Sequence, residues 1–220
     1  IIKALNQRFQ DEKRVRNTDR SLFFSGLMIA LTSSNFRNTY KNIQAPTKRE
    51  LAQTQAVVTE SHYLTEAIVT AIDTQLSSRV NNLSKVFNWA DQFSFIRNID
   101  YALDDFKSII QTIEDKIYIP FSNEEKQDIL GKAYKIFLSR AGKAEDKNII
   151  LTPDHIKKLM IKLARLSVDD VVIDTCMGSG GFLMESMEVM TSLAKDDFEK
   201  IENIRKNQLI GMEIDHVLFA

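Results

Sequence analysis

Val171-Val172-Ile173-Asp174-Thr175-Cys176-Met177-Gly178-Ser179-Gly180-Gly181-Phe182 is the stretch on which the fold turns. Three β-branched apolar residues in a row predict a buried strand of a parallel sheet. Asp174 closes that strand. Gly178, Gly180 and Gly181 then allow a turn tighter than residues with a β-carbon accept. Phe182, Leu183, Ser186, Met187 and Met190 recur at helical spacing behind it. Strand, glycine turn and helix form the opening of a nucleotide-type α/β domain. Backbone N–H groups in such a turn, backed by a helix N-terminus, hold a ligand placed against them. A glycine turn of this kind also serves as a purely structural corner in α/β proteins.

The glycines narrow the choice of ligand. A phosphate loop requires a lysine after its second glycine, and none follows here. The dinucleotide fingerprint requires a third glycine where Leu183 stands. A cofactor without phosphates, joining an adenosine to a charged amino-acid part, fits better: S-adenosylmethionine. Asp174 and the turn would face its methionine part. The segment Gln208-Leu209-Ile210-Gly211-Met212-Glu213-Ile214 reads as the next strand. Its Glu213 could accept from both ribose hydroxyls, the role of the acid in the dinucleotide fold.

Upstream, Leu151-Thr152-Pro153-Asp154-His155 opens a helix, with Thr152 as the cap and Pro153 at the first helical position, where no N–H is missed. Ile156, Leu159, Met160, Leu163 and Leu166 are expected on its buried side. The run from Thr152 to Phe182 to Glu213 resembles the DNA adenine methyltransferases that serve as modification subunits of type I restriction-modification systems. That family carries a Thr-Pro element, then Asp-Pro-x-Cys-Gly-Ser-Gly-Gly-Phe-Leu, then Gly-x-Glu. Here they stand as Thr152-Pro153, Asp174-Thr175-Cys176-Met177-Gly178-Ser179-Gly180-Gly181-Phe182-Leu183 and Gly211-Met212-Glu213, with Thr175 in place of the proline and Met177 in place of the cysteine.

The resemblance implies a Rossmann-like, S-adenosylmethionine-dependent methyltransferase domain that transfers a methyl group to the exocyclic amine of adenine. It implies a cofactor set of Thr152, Pro153, Asp174, Gly178, Ser179, Gly180, Gly181, Phe182 and Glu213. It further implies double-stranded DNA, a specificity subunit and a restriction subunit as partners, and a cytoplasmic location. The family holds the amine with an Asn/Asp-Pro-Pro-Tyr/Phe motif. The prolines here are Pro46, Pro120 and Pro153, and no two are adjacent. No catalytic residue is therefore assigned within the 220, and the amine-holding motif is expected beyond Ala220. The domain reads as truncated and inactive alone. The alternatives are a non-catalytic helical interaction module within such a complex and a methyltransferase acting on RNA or protein.

Composition agrees with a soluble protein: 44% apolar and 27% charged residues are ordinary for a globular chain. A net charge of −1 gives no global basic field, so any nucleic-acid surface has to be local or supplied by a partner. The single cysteine, Cys176, excludes an internal disulfide, suits a reducing compartment and reads as a small buried filler. The most apolar run, Leu22 to Leu31, is too short for a bilayer, and no signal peptide is visible.

Everything before the glycine region reads as helix. Ile2, Leu5 and Phe9 share one face of a short amphipathic helix. Thr18 or Asp19 caps the next, which is apolar nearly all round from Leu22 to Leu31 and belongs at the centre of a helical domain. Thr32 to Pro46 reads as a loop, with Arg37, Lys41, Lys48 and Arg49 giving it a basic cast. Further helices are expected over 48–80 and 82–97, the second carrying Trp89, Phe93 and Phe95 into a core. A stripe of Ile99, Leu103, Phe106, Ile110, Ile113 and Ile117 follows. Its acids, Asp100, Asp104, Asp105, Glu114 and Asp115, read as a solvated face and not as metal ligands. Pro120 breaks the pattern, and Ser122-Asn123-Glu124-Glu125 begins another helix in capping-box form. Ala141 to Lys147 is a charged joint. The expected architecture is a helical N-terminal domain over 1–146 and the start of the α/β domain over 147–220.

Overall fold

A computed structural model describes residues 1–12, 14–16, 19–47, 49–50, 59–79, 88–120 and 152–214. The chain separates into two compact units, Ile1–Glu125 and Lys126–Ala220. The capping box at 122–125, the helix after it and the joint at 141–147 lie outside the described residues, as do Thr18, Lys48 and His216.

The first unit is helical. Helix α1 (Ile2–Glu12), α2 (Arg20–Thr32), α3 (Ser34–Thr39), α4 (His62–Arg79), the single turn α5 (Trp89–Gln92) and α6 (Leu103–Ile113) follow one another. Helix α2 is the axis. Ten of its thirteen residues are buried, as its all-round apolar sequence requires. Phe9, Phe23, Phe24, Leu27, Leu64, Ile68, Ile72, Phe93, Ile96 and Phe106 are fully enclosed. Phe23 joins α1 to α6, its ring centroid 5.4 Å from Phe9 and 5.8 Å from Phe106. The stripe of α6 is buried at Leu103, Phe106, Ile110 and Ile113, as its spacing predicts.

Four expectations for this unit are corrected. The stretch 32–46 is not a loop: Ser33 caps α3 by accepting from Phe36 N at 3.3 Å, and a 3-10 turn over Tyr40–Asn42 follows. Phe36 and Tyr40 stack at 5.4 Å and are both buried, which draws the segment into the core. Two of its basic residues are engaged within the unit: Arg37 donates to Leu31 O and Tyr118 Oη, and Lys41, still half exposed, pairs with Glu114 at 3.4 Å, while Arg49 is exposed. The helix expected over 48–80 is broken at 59–61, with Ser61 buried, and α4 starts at His62. In the described part of 82–97, Asn88 caps only one α-turn before a 3-10 turn over Ser94–Asn98. Glu114 is not solvated: it is 6% exposed and accepts from Tyr40 Oη at 2.7 Å.

The second unit contains α7 (Asp154–Ala164), β1 (Val172–Asp174), α8 (Gly181–Ala194), α9 (Phe198–Asn203) and β2 (Leu209–Gly211). The strands pair in parallel, Val172 with Leu209, Ile173 with Ile210 and Asp174 with Gly211. A parallel pair needs a long crossover, and α8 and α9 supply it. Between α8 and β2, helix α9 is capped by Asp197, whose side chain accepts from Lys200 N at 3.1 Å. One face of the sheet packs well: Val172 and Leu209 lie against Met190, Ala194 and Ile204. Gln208 is buried between strand and loop, its Nε2 donating to Val168 O at 2.9 Å and Asp170 O at 2.7 Å.

Both strands are shorter than expected, and β1 is not buried on both faces. Val171 is 56% exposed and Ile173 58%; among the described residues it is the Val172 side that meets helices. Helix α7 also turns the other way from its apolar pattern. Leu159, Met160 and Leu163 are exposed, while Lys157 and Ile161 are buried, since the 157/161 side faces α8. Its start is shifted by one residue: Pro153, not Thr152, occupies the cap position, and no side chain caps the helix there.

Candidate functional site

The carboxyl ends of β1 and β2 meet at the glycine turn. Past the paired residues the strands remain joined: Met212 N donates to Asp174 O at 2.8 Å and Met177 N to Met212 O at 3.0 Å. These bonds carry the ladder around the corner and fix where Glu213 leaves β2. Glu213 Oε2 then accepts from Gly178 N at 2.8 Å, and Oε1 from its neighbour Ile214 N at 2.8 Å. Asp174 Oδ1 accepts from Cys176 N at 3.1 Å, which turns the chain away from the strand. Asp174, Gly178 and Glu213, separated by up to 39 positions in sequence, are thus brought to one place.

The glycines are used differently. Gly178 and Gly180 have φ of +55° and +75°, and no heavy atom lies within 4 Å of where a side chain would start. The left-handed backbone favours glycine at both positions, while the space beside them is open. Gly180 N donates to Met177 O at 2.8 Å, and Gly180 O accepts from Met184 N at 2.9 Å, so the turn runs directly into α8. Gly180 caps α8 without a side-chain acceptor. The N–H groups of that first turn have no partner within the helix. Gly211 is a glycine for packing: a β-carbon there would overlap the Met177 sulfur and stand 2.8 Å from Leu183 Cδ1. Met177, which departs from the family pattern, therefore seals the sheet end against α8.

Ser179, Gly181 and Phe182 are half-buried in the same turn and first helical residues. Thr152 and Pro153 are exposed at the start of α7, where Pro153 O accepts from Lys157 N at 3.2 Å. Cys176 is exposed rather than a buried filler, because the Asp174 turn carries it outward. Lys157 is not visible as a site residue in the sequence, being one of several lysines in a helix. Its signal is an ionisable residue four before Ile161, on what proves to be the inward face. Among the described residues no cluster of His, Cys, Asp and Glu suits a metal. No described helix is long and apolar enough to cross a membrane.

The arrangement offers backbone donors and an open cradle at one strand end, with a carboxylate from the neighbouring strand beside them. It suits a ligand that is part sugar and part anion. Residues 125–220 match the family model described as N-6 DNA Methylase. This part of the chain is similar to the N-6 DNA methylase family. The type II restriction enzyme and methyltransferase RM.BcgI of Heyndrickxia coagulans is 33% identical over 146 residues, which cover 62% of this chain and 23% of that protein. The chain therefore spans about a quarter of the relative it matches.

Proposed function

We propose that residues 147–220 are the opening of a Rossmann-like domain that binds S-adenosylmethionine, and that the whole protein methylates the exocyclic amine of adenine in double-stranded DNA. The observation that carries this reading is the 2.8 Å bond from Gly178 N to Glu213 Oε2. It sets an acid able to accept from sugar hydroxyls beside a glycine turn able to donate to the rest of the ligand. The cleared space over Gly178 and Gly180 fits a ligand lying against the backbone. Bound there, S-adenosylmethionine would supply a methyl group activated on a sulfonium. The chain's own residues bind and orient. Glu213 would take the ribose, and Asp174 with the turn from Gly178 to Phe182 would face the amino-acid end. Thr152 and Pro153 would close over that end from the start of α7.

Methylating a paired base requires that it leave the stack and that its amine be held by acceptors. The Asn/Asp-Pro-Pro-Tyr/Phe motif that does this in the family is not among the 220 residues. We assign the acceptors to the whole protein and expect these 220 residues to bind the donor without transferring its methyl group. The whole protein is read as a modification subunit of a type I system, partnered by specificity and restriction subunits in the cytoplasm. The free Cys176 suits a reducing compartment. A second reading draws on the relative, whose name combines restriction enzyme and methyltransferase: the two activities would share one polypeptide.

Calorimetry with S-adenosylmethionine tests the site. The chain should bind it, and Asp174→Ala and Glu213→Ala should each weaken binding by about tenfold or more, the scale of a lost hydrogen bond to a charged group. Binding unchanged in both variants overturns the assignment. A labelled-methyl assay on the same sample should give no transfer to DNA.

A further inference from the structure

From His155 to Val168 the chain holds Lys157, Lys158, Lys162 and Arg165 and no acid. Lys157 turns inward and pairs with Asp154 at 2.9 Å. The other three are exposed. Lys158, Lys162 and Arg165 stand at i, i+4 and i+7, which sets them along one side of α7. Leu159, Met160 and Leu163 are exposed as well, but the step of about 100° per residue centres them on the next side of the helix. Elsewhere in this unit cations stand beside acids: Lys200 lies 3.6 Å from Asp197, and Glu202 takes Arg205 at 3.9 Å and Lys206 at 2.8 Å. Among the described residues no carboxylate forms an ion pair with Lys158, Lys162 or Arg165. Arg165 closes α7 with φ 53° and ψ 49°, the left-handed region in which helices commonly end on glycine. A side chain kept there in spite of the steric cost points toward a use for it.

We infer that this row holds the sugar–phosphate backbone of duplex DNA. The inference rests on the methyltransferase reading above and names where the substrate lies. Three charges over about 10 Å of helix match about three phosphates of one strand, which recur about every 3.4 Å along the duplex axis. A chain with a net charge of −1 has to meet a polyanion through a local surface of this kind. A row without counter-ions breaks no ion pair on binding, and the duplex releases its condensed cations. A second copy of the chain fits less well, because two such rows repel. The place suits the reaction. The inward side of α7 packs on the first residue of α8, where Lys157 lies against Gly181. The row is therefore about one helix diameter, roughly 10 Å, from the turn proposed to hold the donor. Backbone contacts position a duplex and carry no sequence information, so the row orients the substrate without selecting it.

Fluorescence anisotropy with a short labelled DNA duplex tests the row. The 220-residue chain should bind it, with an affinity that falls as salt rises from about 50 to 200 mM. Lys158→Gln, Lys162→Gln and Arg165→Gly made together should weaken binding by about tenfold or more at the low-salt end. They should also flatten the slope of log K against log salt by about two to three. Glutamine suits a helix and glycine the left-handed position, so the fold is kept. Should circular dichroism show that variant unfolded, Lys158→Gln alone carries the comparison, with a slope change of about one. Lys158→Arg with Lys162→Arg keeps the charge and should keep the slope. The control, Lys200→Gln with Arg205→Gln and Lys206→Gln, removes as much charge from ion-paired positions and should leave the slope unchanged. Equal losses in the two triple variants would make net charge the cause and overturn the proposal. An unchanged slope in the first also overturns it, as does a wild-type chain that ignores the duplex, which would leave the row to an acidic protein. Calorimetry with S-adenosylhomocysteine keeps the two readings apart: the first triple variant should bind it as the wild type does. A chain that binds duplex through the row but not this nucleoside overturns the donor reading alone.

Discussion

The helical unit and the strand unit treat their apolar residues in opposite ways. In the first, Phe9, Phe23, Phe24, Phe93 and Phe106 are fully enclosed around α2. In the second, Leu159, Leu163, Ile173, Phe198 and Ile210 are exposed, and only one side of the sheet is packed. The buried polar groups differ as well. The helical unit encloses Glu114 with Tyr40, two side chains satisfying each other. The strand unit directs backbone N–H groups and carboxylates to one strand end. A closed core gives stability without a place for a ligand, and the proposed place lies at the carboxyl ends of the parallel strand pair. The division teaches that the recognisable chemistry and the bulk of the internal packing belong to different parts of this chain.

Three substitutions sharpen that contrast. Phe106→Ala removes a ring that touches both Phe23 and Tyr101. Denaturant unfolding should show a loss of about 3–5 kcal/mol, the range for an enclosed aromatic, and a loss under about 1 kcal/mol would mean the helical core is open at this point. Tyr40→Phe leaves the buried Glu114 without its phenol and should cost about 1–3 kcal/mol. The same pair gives a pH signature. Burial first, and then the hydrogen bond to Glu114, push the Tyr40 phenol well above its ordinary value, and burial does the same to Tyr101. The folded unit therefore holds these protons more tightly than the unfolded chain. That stability is complete below about pH 10, where a free tyrosine ionises, and declines as pH rises further. Melting temperatures against pH should fall on the alkaline side, less steeply in Tyr40→Phe, with Tyr101 keeping part of the slope. Smallest of all, Ile173→Thr on the open sheet face should change stability by under about 0.5 kcal/mol, as at an ordinary surface position. A large loss there would show that the face is covered after all.

The parts legible in the sequence were those with local rules. The all-round apolar run of α2, the stripe of α6 and the strand–glycine–helix order each follow from spacing within a dozen residues. The convergence of Asp174 with Glu213 was legible only because a parallel pair puts both carboxyl ends on one side. What was not legible depended on what lay opposite. Helix α7 has an apolar stripe, yet its inward face is 157/161, because the lysine stem covers Gly181. Glu114 looks like its acidic neighbours until Tyr40 is seen above it. Ser33 is a polar residue in a polar run, and only its bond to Phe36 N makes a helix of it.

The grip on Glu213 has a consequence for what the proposed ribose site would distinguish. Its two oxygens each take a backbone donor, from Gly178 and from Ile214. These bonds stop it from swinging. Rotamer freedom that most acids surrender on meeting a guest is already gone, which lowers the entropic toll of recognition. In the proposed cofactor site a stationary acceptor would also behave as a gauge: two adjacent hydroxyls at the right spacing would match it, and a sugar missing either one would forfeit a contact that nothing could move across to replace.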